Sequence, residues 1–183
     1  TLILTAPDGV AAIDPAAARP LVEMAQARGI AALIANDAAT ARAAGADGVH
    51  LCWRPEIEDA YAAARAALGP AAIVGADAGA SRHDAMTLGD GGADYVAFDR
   101  MADALGPDAA RDTQRELVAW WSEVFVVPVV AFGVETPADV AELVRRGADF
   151  VAVRLPRAAS GPDADAAWAS ALVAALHSPA DAA

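Results

Sequence analysis

The chain has no lysine: its 13 basic residues, read one by one, are all arginine. A Schiff-base aldolase, a pyridoxal-phosphate anchor and a P-loop each need a lysine amine at the reactive or phosphate-binding centre, so all three classes are excluded. Cysteine is almost as scarce. The single Cys52 rules out an intrachain disulfide and a thiolate metal cluster, and it agrees with a reducing, cytoplasmic setting. Long apolar runs are missing too, although 56% of the residues are hydrophobic. Nothing approaches the roughly 18 uninterrupted apolar positions of a membrane-spanning helix, so no membrane partner is expected. Positive charge is the minority sign, with 25 acids, a formal net charge of −12 and no basic run. Such a surface repels polyphosphate backbones and argues against a nucleic-acid partner. The sequence opens at Thr1 with neither methionine nor a charged, cleavable leader, from which a processed or partial chain is expected.

Alanine and alternation fill the space these absences leave. Alanine supplies 53 of the 183 residues, a bias that, with the missing lysine, points to GC-rich coding rather than to one function. The length suits one compact domain over residues 1–183. Short branched apolar runs lie at Leu2–Leu4, Ile30–Ala35, Val49–Cys52, Ala72–Ala76, Tyr95–Phe98, Val126–Phe132 and Phe150–Val153. Alanine-rich stretches of helical period separate them, the signature of βαβ units around a parallel sheet. Asp14 before Pro15, Asp108 before an Ala and Arg run, and Thr136 before Pro137 have the form of helix N-caps. Gly29, Gly45, Gly92 and Gly147 follow helical stretches as closing residues.

Inside this alternation a motif recurs: Gly45-Ala46-Asp47-Gly48-Val49, Gly92-Ala93-Asp94-Tyr95-Val96 and Gly147-Ala148-Asp149-Phe150-Val151. Each ends a helix and opens a strand. The spacing of about two βα units places the motif on alternate strands, as in a TIM (β/α)8 barrel that keeps an internal period, whereas an open doubly wound sheet has no reason to repeat so. Seven strands are visible; counted back from the last, they place the first strand upstream of Thr1, with a permuted or reduced barrel as the alternative.

Catalytic groups of such barrels sit at the C-terminal ends of strands. Here those positions hold Thr5, Asn36 with Asp37, Cys52 with Trp53 and Arg54, Asp77, Asp99 with Arg100, Gly133 with Glu135, and Arg154. Asn36 and Asp37 offer oxygens to a hard cation, and Asp77 or Asp99 would complete a magnesium site with water; equally, Asp37 is placed to cap the next helix. Loops after the last two strands commonly bind phosphate through backbone N–H groups. Phe132-Gly133-Val134-Glu135 keeps one glycine but adds bulk and negative charge, while in Val153-Arg154-Leu155-Pro156-Arg157 the arginine can grip an anion and the proline cannot donate. His50 lies mid-strand, on the barrel interior or in the core. His83 reads as solvated behind a Ser81 cap, and His177 has no partner in sequence. Trp120 and Trp121 read as helix-to-barrel packing. No Ser-His-Asp or Cys-His arrangement emerges.

The segments GADGVHL (45–51), GPAAIVG (69–75), GADYVAF (92–98), VPVVAFG (127–133) and GADFVAV (147–153) resemble the thiamine phosphate synthase and TenI family, over roughly residues 30 to 155. GASRHD (79–84) resembles a divergent, alphaproteobacterial-like branch of it. The resemblance implies a transferase of thiamine biosynthesis. An aminopyrimidine methyl diphosphate loses pyrophosphate to give a stabilised carbocation, which a thiazole phosphate captures, with Mg2+ and basic side chains neutralising the leaving group. It also implies a small phosphorylated substrate and a homo-oligomer. Their strand-end positions make Asp77, Asp99 and Arg100 candidate catalytic residues. Asn36, His50, Trp53, Arg54, Gly133 and Arg154 are candidate substrate-binding residues, and Asp37 is the candidate metal ligand.

The departures are as specific as the matches. The Gln and Asp expected after His50-Leu51 are replaced by Cys52, Trp53, Arg54 and Pro55, which leaves Glu56 or Glu58 to supply a second metal carboxylate. Asp77 stands where a serine is expected, Leu155 replaces the serine of the last loop, and Gly133-Val134 replaces a Gly-Gly pair. Asp99-Arg100-Met101 leads into no threonine-rich loop and no lysine, Thr5-Ala6-Pro7-Asp8 lacks the expected Gln and basic residues, and Gly79 or Ala80 holds the place of the TenI histidine. A site lined by Asp37, Asp77, Asp99 and Glu135, with Arg54, Arg100 and Arg154 as counter-charges, needs metal to offset its acid. Three readings follow: a synthase-like enzyme whose activity is weakened, altered or lost; a noncatalytic binder of thiamine precursors or TenI-like regulator; and an isomerase of the phosphate-binding barrels using Asp77 or Asp99.

Overall fold

The computed structural model describes residues 1–6, 12–154 and 162–176, with the backbone alone for 162–165. The chain divides into two compact units, Thr1–Val96 and Ala97–Ala183.

The first unit runs β1 (Leu2–Leu4), α1 (Pro15–Gln26), β2 (Ala32–Ala35), α2 (Ala38–Ala44), β3 (Gly48–Leu51), α3 (Ile57–Leu68), β4 (Ile73–Asp77) and α4 (Arg82–Asp90), and ends in the start of β5 (Tyr95–Phe98). Its strands pair in parallel and in sequence order, with Ile3 opposite Leu33, Ile34 opposite Val49 and His50 opposite Gly75. Parallel strands covered by helices are buried on both faces and need no polar alternation. All four residues of β3 are buried accordingly. Alanine is how the helices approach: Ala18, Ala25, Ala41, Ala44, Ala64 and Ala85 are all buried, giving good helix propensity at little entropic cost.

The second unit runs from the rest of β5 through α5 (Ala102–Leu105), α6 (Pro107–Val124), β6 (Val129–Val134), α7 (Pro137–Arg145), β7 (Phe150–Val153) and α8 (Pro162–Leu176). Strands β6 and β7 are parallel, with an irregularity between Ala131 and Val134. Trp121 is fully buried, stacks on Phe125 at 4.0 Å, meets Phe98 edge-on and donates its indole N–H to the Val127 carbonyl at 2.7 Å. It is core, as the sequence led us to expect.

The repeated Gly-Ala-Asp motif has a single structural job. It opens β3, β5 and β7, the alternate strands, and its aspartate is hydrogen-bonded to the beginning of the preceding strand. Asp47 Oδ2 accepts from the Ala32 N–H at 2.7 Å, Asp94 Oδ2 from Val74 at 2.7 Å and Asp149 Oδ2 from Val129 at 2.8 Å. In return the backbone N–H of each aspartate donates to the carbonyl of that same residue. A two-bond ring thus satisfies strand-opening groups that the ladder leaves unpaired.

Most predicted caps stand. Asp14 and Thr136 accept from the first turns of α1 and α7, Ser81 from that of α4, and Gly45 closes α2 in the left-handed region at φ 75°. Two expectations need correction. Asp108 is not an N-cap, because Gly106 holds that position and Asp108 lies in the first turn of α6. Strand β6 begins at Val129 rather than Val126, since Pro128 has no N–H to pair and Val126 is fully exposed. Asp77 is the last residue of β4, at the C-terminal strand end where the sequence placed it. Among the described residues no helix is long and apolar enough to cross a membrane.

Candidate functional site

At the ends of β2 and β3 in the first unit, Asn36 adopts a left-handed backbone, φ 63°. Asparagine tolerates this conformation better than most residues. Its N–H donates to the His50 carbonyl at 2.8 Å, while its Oδ1 accepts from the Cys52 N–H at 2.8 Å and from an Arg54 guanidinium N–H at 2.5 Å. One amide therefore ties the two strand ends together and aims a cation. Asn36 and Arg54 line a cavity of about 260 Å³, otherwise walled by Ala38, Leu51, Ala60, Ala63 and Ala64.

Asp37 next to it is a helix cap. Oδ1 accepts from the Thr40 N–H at 2.9 Å and Oδ2 from the Thr40 hydroxyl at 2.7 Å. These bonds, the backbone one foremost, hold its pKa below the usual carboxylate range. Trp53 lies flat on the next turn: a Cβ at Gly79 would sit 2.7 Å from its ring, and its indole N–H reaches Asp84 Oδ2 at 3.4 Å. Asp77, 4% exposed, accepts from the Gly79 N–H at 2.9 Å.

His50 is buried in the sheet interior, with Nδ1 3.0 Å from the Tyr95 hydroxyl and the two rings stacked at 6.0 Å. Burial lowers its pKa to about 4 and raises that of Tyr95, so both are neutral near pH 7, and the imidazole tautomer sets which of the two donates. The Tyr95 ring occupies the space that any side chain on Gly75 would fill.

The second unit has its own strand-end cluster. Asp99 Oδ1 accepts from the Arg100 N–H at 2.7 Å and lies 2.5 Å from where a Gly133 Cβ would be, so glycine, at φ 66°, is what admits the carboxylate. Burial raises the Asp99 pKa against the opposing pull of the Arg100 N–H and of the Arg154 and Arg100 charges. The Arg100 guanidinium is held inward, 3.0 Å from Asp139 and 3.2 Å from Gln114 Oε1. Gln114, 2% exposed, donates to the Phe98 and Phe132 carbonyls, both at 2.7 Å. Asp139 also accepts from Thr136 and faces Arg111 at 3.5 Å. Arg154 and Glu135 are exposed. Leu155, Pro156, Arg157 and His177, like Pro7 and Asp8, lie outside the described residues.

The structure thus joins Asn36 to Arg54 in the first unit, with Asp37 turned to Thr40 and Trp53 to Gly79 and Asp84, and brings Asp99 to Arg100, Gly133 and Arg154 in the second. Gln114 and Asp139 escaped sequence reasoning, though each left a trace. Gln114 interrupts the buried stripe Ala110, Leu117, Val118, Trp121 at helical spacing, and Thr136-x-x-Asp139 has the spacing of a capping box.

Seven parallel-type strands alternating with helices, with polar groups gathered at the carboxyl ends, define an α/β protein of the TIM-barrel class. A family model described as thiamine monophosphate synthase matches residues 14–155. The thiamine-phosphate synthase of Hyphomonas neptunium is 44% identical over 130 residues, covering 71% of this chain and 58% of that protein. That of Erythrobacter litoralis is 41% identical over 138 residues, covering 74% and 63%. Among solved structures, a thiamine phosphate pyrophosphorylase from Pyrococcus furiosus shares the fold, with a TM-score of 0.67 and 21% identity over 95% of this chain and 81% of that one. The chain belongs to the thiamine monophosphate synthase family. The matched region makes up less than two thirds of the length of the Hyphomonas and Erythrobacter proteins.

Proposed function

We propose that this chain acts on the substrates of a thiamine-phosphate synthase, joining an aminopyrimidine diphosphate to a thiazole phosphate with release of pyrophosphate. The observation that carries the reading is the Asn36 cluster: a strained asparagine ties the ends of β2 and β3 and presents Arg54 beside a cavity, in a chain 44% identical to a thiamine-phosphate synthase. In the reaction the bond from the pyrimidine methylene to the diphosphate oxygen breaks with its electron pair on the leaving group, and the thiazole nitrogen supplies the pair for the new C–N bond. Charge grows on the diphosphate, where a fixed guanidinium stabilises it. Asn36, Arg54 and Trp53 contact substrate, and neutral His50 shapes the interior behind them. Arg154 and the Gly133 turn receive a phosphate. Asp99, whose raised pKa favours proton exchange, is the acid–base candidate of the second unit, with Asp77 that of the first. Arg100 acts on Asp99 through its N–H and charge while its guanidinium is held by Asp139 and Gln114. The setting is cytoplasmic and the assembly a homo-oligomer.

The family resemblance implies Mg2+, but the residues present do not fit one. Both Asp37 oxygens accept from Thr40, a guanidinium occupies Asn36 Oδ1, and Glu56 and Glu58 are exposed at the start of α3. No group of three or more His, Cys, Asp or Glu side chains suited to a metal forms among the described residues.

A second reading, a noncatalytic binder of thiamine precursors, is favoured by Trp53, which lies across Gly79 where a substrate would approach β4. Incubation with both phosphorylated substrates, with Mg2+ and with EDTA, alongside calorimetry of each substrate alone, separates the two. Turnover supports the first reading, binding without turnover supports the second, and neither turnover nor binding defeats both.

A further inference from the structure

Arginines in this chain that face a carboxylate are balanced by it: Arg65 meets Asp94, Arg100 and Arg111 meet Asp139, Arg115 meets Asp112, and Arg145 and Arg146 meet Glu142. Arg54 is different. Among the described residues its hydrogen-bond acceptor is the neutral amide oxygen of Asn36, and no carboxylate pairs with it. A guanidinium has five N–H donors, so most of its fork remains for an incoming anion, and the side chain is exposed to receive one. The aim is not accidental. Asn36 is held in the left-handed region by its N–H on the His50 carbonyl and by two donors on Oδ1, and strain of this kind persists only where its surroundings over-determine it. Beyond the pair lies the alanine-walled cavity, large enough to take the small apolar body of a phosphorylated ligand.

We propose that Arg54, aimed by Asn36, is a metal-independent anion site that binds the phosphate or diphosphate group of the ligand at the ends of β2 and β3. The unfilled demand for a divalent cation is the same fact seen from the other side: positive charge is already present, built into the chain. The inference rests on the proposed function for the class of ligand, but not for its readout.

The test is calorimetry of the full chain with inorganic pyrophosphate, in EDTA and again in Mg2+. Binding is expected in EDTA, to change by less than about 2-fold on adding Mg2+ and to weaken by roughly 10-fold or more in Arg54→Gln, the loss expected for a charge-assisted bidentate contact. Asn36→Gly, which keeps the backbone conformation and removes the aim, should fall between, with both variants showing the parent's circular dichroism. Absence of binding in EDTA, binding that appears only with Mg2+, or an Arg54→Gln variant that binds as well as the parent would each overturn the proposal. A chain that binds pyrophosphate through Arg54 yet turns over neither phosphorylated substrate would refute the synthase reading and leave this one standing. Mg2+-dependent turnover unaffected by Arg54→Gln would do the reverse.

Discussion

Replacing Gly75 with alanine adds one methyl group at a place where the structure has no room for it. An ideal Cβ there lies 2.0, 2.1 and 2.3 Å from Cζ, Cε1 and Cε2 of the Tyr95 ring. The ring must move, and its hydroxyl then leaves His50 Nδ1, now 3.0 Å away. Overpacking of this kind costs about 1–3 kcal/mol. Losing a buried neutral hydrogen bond costs about another 1 kcal/mol. Together Gly75→Ala should lower stability by about 2–4 kcal/mol, read in urea as a lower midpoint at unchanged slope. The ring is the cause only if removing it removes the penalty. In a Tyr95→Leu background, alanine at 75 should therefore cost less than about 1 kcal/mol, giving a coupling energy well outside ordinary additivity. Equal cost in the two backgrounds, or a loss under about 0.5 kcal/mol in the parent, would refute the reasoning.

Two further outcomes follow from buried charge. The His50 pKa is about 4 in the folded chain against about 6.5 for an unperturbed imidazole, so the unfolded state binds more protons between those values and stability rises with pH across them. The contribution is complete above about pH 6.5 and falls away toward pH 4, on the order of 3 kcal/mol in all; urea midpoints between pH 4 and 8 should show it, and His50→Gln should flatten it. Asp139→Asn leaves the Arg100 guanidinium, about 10% exposed, without its nearest carboxylate. Breaking one side of a buried pair costs about 3 kcal/mol or more, which thermal unfolding of the variant should register, whereas Asp112→Asn in an exposed pair should be nearly neutral.

The strands were legible because buried parallel strands are written as unbroken branched runs. Leu2–Leu4, Tyr95–Phe98 and Phe150–Val153 agree with the observed bounds, and the error at Val126 traces to a proline whose missing donor outweighs hydrophobicity. The Gly-Ala-Asp repeat correctly placed itself on alternate strands, but its aspartate looks the same in sequence whether it is hydrogen-bonded, catalytic or solvated. Asp37 shows the same ambiguity, and only the two Thr40 contacts resolve it as a cap. The His50, Gly75 and Tyr95 arrangement was invisible because it spans three strands, and a glycine gives no sign that a ring from elsewhere fills its place. Arg100 illustrates the converse: the sequence puts it at a strand end, where arginine reads as a catalytic counter-charge, while the groups that hold its guanidinium, Gln114 and Asp139, come from two different helices.

The aspartate rings at Asp47, Asp94 and Asp149 join β2 to β3, β4 to β5 and β6 to β7. Each fastens an even strand to the odd one after it, and the motif never fastens an odd strand to the even one that follows. The protein is therefore written in couplets, each carrying its own internal tie, and among the described residues the joints between couplets hold no such aspartate bond.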